Sequence, residues 1–160
     1  MRDPHNTTAP RTAPRAVWIL PEALPPAEGA ARLVRAWRDA WPTDAPWLAL
    51  VPETRHAAWV EALRAAFAAE PPATFPALAL RRCVRAAADL GAALIAGGLP
   101  ADEAQGTMRP ALLVNVPPTP ALLRAWAEPA PVLGLAAREP HAADLSALAP
   151  DLAVLRDFSI

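Results

Sequence analysis

The chain has no lysine, no tyrosine, one cysteine and six glycines. Each shortage closes a route to function. Without lysine there is no Walker-type phosphate loop and no Schiff-base chemistry. The glycines, at 29, 91, 97, 98, 106 and 134, form no G-x-G-x-x-G fingerprint. Ser146 and Ser159 stand in no nucleophile-elbow context. Cys83 cannot close an internal disulfide, and with His5, His56 and His141 scattered along the chain it completes no zinc site. No cofactor and no metal are expected on these grounds.

Charge is nearly balanced. All basic side chains are arginine, and the formal net charge is −1. No global field draws the chain to nucleic acid or to anionic lipid. The opening "MRDPHNTTAPRTAPR" holds no apolar segment of the secretory kind, and no apolar run approaches the ~20 residues that span a bilayer. Together with the lone cysteine, this predicts a soluble cytoplasmic protein with no membrane partner.

What the sequence does hold is an alternation of apolar runs and helical stripes. Residues 1–15, rich in Pro, Thr and Arg, read as a disordered arm, and 16–160 as one domain. "AVWIL" (16–20) and "WLALV" (47–51) read as strands stopped by proline. Between them, Ala30, Leu33, Val34, Trp37 and Trp41 share one face of a helix over 27–41, with Arg32, Arg35 and Arg38 opposite. Thr54 reads as the cap of a second helix, with Trp59, Val60, Leu63, Ala66 and Phe67 as its stripe. The tryptophans on these stripes are expected in the core.

"EPPATFP" (70–76) breaks the chain. Residues 77–90 fit either one helix or a short strand and a short helix. "AALIA" (92–96) reads as a strand, "LPADEAQGTM" (99–108) as an exposed loop, 111–116 as a buried strand, 119–127 as a helix and 132–135 as a strand. The tail from His141 fits a helix interrupted by Pro150, or a short helix followed by a strand over 152–155. The pattern predicts a single α/β domain. Its sheet would be mainly parallel, of about five strands with helices on both faces, Rossmann-like but without a phosphate loop.

Two strands end in Pro-Glu: "ILPEA" (19–23) and "LVPETRH" (50–56). If they are parallel neighbours, Glu22 and Glu53 meet at the carboxyl edge, where open α/β sheets bind ligands, with His56 close by. Paired carboxylates could do acid–base work there. The plainer reading is that each Pro-Glu stops a strand and favours the next helix's positive end. Cys83 reads as a small buried hydrophobe.

The stretch "LLVNVPPTPALLRAWAEPAPVLGLA" (112–136) raises a further possibility. Its strand, Thr-Pro, helix and strand, with "EALRAAFAAEPPATFPAL" (61–78) and the β-α-β unit upstream, resemble the chi subunit of bacterial DNA polymerase III over 16 to about 136. The resemblance implies a non-catalytic accessory subunit linking the clamp loader to single-stranded-DNA-binding protein. It implies docking of a clamp-loader or psi-like subunit and of that protein's acidic C-terminal tail, with DNA reached only indirectly. Arg124, Arg138 and Arg156 would supply the cation fork and Phe158 a pocket wall. Two other readings stand beside it. One is a small α/β enzyme or ligand-binding domain using Glu22, Glu53 and His56; the other is an interaction module with no replication role.

Overall fold

The computed structural model describes residues 16–40, 48–71, 73–74, 77–98, 100–102, 107–126, 130–141 and 154–157. The expected arm over 1–15 lies outside them, as do Trp41, Trp47 and Phe158.

The first βαβ unit follows the sequence closely. Strand β1 is Ala16–Ile19, helix α1 Pro26–Ala40 and strand β2 Leu48–Val51. A 3-10 turn, Glu53–Arg55, then runs into helix α2, His56–Ala68. Thr54 lies inside that turn and is not the cap; Arg55 occupies the N-cap position, and its side chain makes no capping bond. Strand β3 is Ala73–Thr74. Helix α3, Ala77–Asp89, settles the ambiguous stretch as one helix. Its buried residues Ala79, Leu80, Cys83 and Ala87 recur at helical spacing, while Leu78 is 61% exposed.

Strand β4 is Ala93–Ala96. The expected loop over 99–108 instead carries strands β5, Pro100–Asp102, and β6, Thr107–Met108, which join β3 in a small antiparallel sheet. Strand β7 is Ala111–Val114, helix α4 Pro120–Ala125 and strand β8 Val132–Ala137. A 3-10 turn, Glu139–His141, follows, and strand β9 is Val154–Asp157.

The main sheet has the order β4-β7-β8-β2-β1-β9. All neighbours pair in parallel except β4, which joins β7 antiparallel at one edge. The expected α/β architecture with a mainly parallel sheet is therefore what the chain forms, with the antiparallel β4 as an added edge. Alternate residues of the central strands feed two cores. Leu48, Leu50, Ala111 and Leu113 pack with α3 and α4. Ala49, Val51, Leu112, Leu133 and Leu135 pack with α1 and α2 on the other face. Strands buried on both faces need near-continuous apolar sequence, which is how β2 and β7 read.

Two close approaches fix the layers. A Cβ on Gly29 would run into the Trp59 ring, so glycine lets α1 and α2 pack closely. A Cβ on Gly134 would meet Val116 side-chain atoms at 3.0–3.1 Å. Asn115, at φ 56°, turns the chain after β7 so that Val116 covers that glycine and donates its N–H to Leu135 O at 3.2 Å. Asparagine is among the few residues that tolerate this left-handed conformation. The role of Asn115 is thus conformational.

Candidate functional site

Parallel strands deliver their following loops to one edge of the sheet. The chain leaves β2 for α2 on one face and β7 for α4 on the other, with β8 between them. In open α/β sheets the strand ends at such a divergence are the usual ligand position.

The register places the two Pro-Glu carboxylates at the same level. Ile19 pairs with Leu50, and Glu22 and Glu53 each stand three residues further on. No hydrogen bond joins them directly; the Glu22 carboxylate and the Glu53 backbone N–H each meet the loop after β8. Arg138 Nη2 lies 3.5 Å from Glu22 Oε1 and 3.1 Å from Glu139 Oε1. The other carboxylate oxygen of Glu139 accepts the backbone N–H of Glu53 at 2.8 Å. Arg138 N–H donates to Val51 O at 2.8 Å, and Arg55 Nη1 reaches Leu24 O at 3.5 Å. Three strand-end loops are thereby tied into one polar surface.

The electrostatics follow from these bonds. Above all, the Glu53 N–H holds the Glu139 carboxyl below its ordinary range, with Arg138 acting in the same direction. His56 sits in the first turn of α2, half-buried, and its Nε2 is buried with no partner. Burial disfavours the charged imidazolium and lowers its pKa, so His56 is neutral at physiological pH. The Glu22 and Glu53 side chains are exposed at this edge.

Sequence reasoning overlooked Glu139. Its signal was present: "AAREP" (136–140) is a third strand end with a glutamate, after the two Pro-Glu pairs.

Of the four residues expected to receive an acidic tail, Phe158 lies outside the described residues and the three arginines lie on different elements. Arg138 follows β8 and Arg156 lies in β9, three strand spacings or about 14 Å across the sheet. Arg124 is in α4, the element after β7. The Arg138 guanidinium is shared between two carboxylates, so it is not a free fork. Cys83 is in the core, 2% exposed. Trp37, Trp59 and Trp126 are buried, so these rings offer no stacking platform. Among the described residues, no cluster of His, Cys, Asp or Glu could hold a metal ion, and no helix is long and apolar enough to cross a membrane.

No protein-family profile and no curated protein matches the chain. Solved structures do. The aldehyde dehydrogenase of Mycobacterium tuberculosis complexed with NAD+ superposes with a TM-score of 0.59 at 17% identity, over 81% of this chain and 31% of that one. The 3,6-anhydro-L-galactose dehydrogenase in complex with NAP gives 0.64 at 17% identity, over 78% and 30%. Lactaldehyde dehydrogenase from Escherichia coli gives 0.56 at 19%, over 78% and 29%. The chain spans about three-tenths of the length of these structures, and at such identities the likeness is one of fold.

This finding corrects the chi resemblance and the replicative, clamp-loader role drawn from it, because the three matching structures named above are dehydrogenases. The motif that suggested chi is a strand, an asparagine turn and a proline-led helix. In this chain that turn packs Val116 over Gly134. The partners expected from chi rested on that resemblance.

Proposed function

We propose that the chain is a ligand-binding α/β domain of enzyme type, which seats a small molecule at the carboxyl edge of its parallel sheet. The observation that carries this reading is the cross-linking of three strand-end loops by Arg138–Glu22, Glu139–Glu53 N–H and Arg55–Leu24 O at the point where the sheet's helices diverge. Glu22 and Glu53 contact the ligand, and Arg138 holds the loops in position. The dehydrogenase folds that the chain shares support an enzymic setting over a docking module. Covalent attack on a carbonyl is not a role open to Cys83, since a nucleophile must be reachable and that thiol is sealed in the core. A cytoplasmic location belongs to the same proposal, supported by a cysteine count of one, too few for a disulfide within the chain.

A thermal-shift screen of the full chain against small metabolites, with NAD+ and NADP+ included, tests it. A ligand at one hundred times its Kd stabilises by about 2.7 kcal/mol, which moves the Tm of a domain this size by roughly 5–10 °C. The shift should vanish in Glu22→Gln/Glu53→Gln. A screen without hits, or a hit that the double variant retains in full, rejects the site.

A further inference from the structure

We draw no further inference here: the strongest candidate, the apolar outer edge of the main sheet at β4, where Leu94 is exposed close to the exposed Leu90 that follows α3, carries nothing because nothing in the structure shows what covers it.

Discussion

Trp37 shows how one side chain can be valuable for its volume and poorly served in its polarity. It is 2% exposed, packs against Phe67 with ring centroids 5.5 Å apart and the planes tilted by 45°, and its Nε1 is buried without an acceptor. Trp37→Ala should therefore cost about 3–5 kcal/mol, mostly as lost burial and a cavity. Trp37→Phe should cost far less, because the N–H it removes gains nothing in the fold. Chemical denaturation of both variants checks this; equal losses would mean the indole N–H has a partner. His56 gives a pH-dependent counterpart. Its folded pKa lies below its unfolded value, so the unfolded chain binds the proton first as pH falls. Its contribution is fully present above ~6.5 and is lost between that pH and the lower folded pKa. Wild-type Tm minus that of His56→Asn should decline across this window. A flat difference would place the imidazole in water. Glu139, with a depressed carboxyl, acts at lower pH: its contribution holds above the ordinary glutamate range and fades as pH drops through its folded value.

At the scale of elements, legibility depended on which period a segment displayed. Helices α1 and α2 carry wide apolar stripes, and their tryptophans went to the core as the stripe required. The start of α3, "ALAL", alternates like a strand, and only the later Cys83 and Ala87 positions reveal the helical face. Strands β5 and β6 were hidden because two- and three-residue strands have no period to read. Of the candidate site, Glu22, Glu53 and His56 were legible as strand-end residues, whereas Glu139 acts through a contact 86 positions away in sequence. The turn after β7 offers a test of the packing account. Gly134→Ala places a methyl against Val116 and should destabilise by about 1–3 kcal/mol, the usual range for overpacking. Combining it with Val116→Ala should recover part of that loss, as neighbours sharing one contact are not additive. If the double variant loses the sum of the two single effects, Val116 does not cover the glycine.

For the whole molecule, the alternation of strands and helices was enough to give the α/β class, because only a sheet covered on both faces buries such segments. The strand order was not readable: β9 comes last in the chain yet pairs with β1, and nothing local in "VLRD" specifies that neighbour. The chi resemblance failed for a related reason, since element order is shared by many doubly wound domains and carries no site. The function therefore rests on the carboxyl edge. The most direct test is to map, residue by residue, the amide shifts caused by the compound giving the largest thermal shift. The account predicts that they cluster on Glu22–Leu24, Glu53–His56 and Arg138–His141. Shifts confined to the exposed faces of α1 and α3, with those loops unchanged, would contradict it.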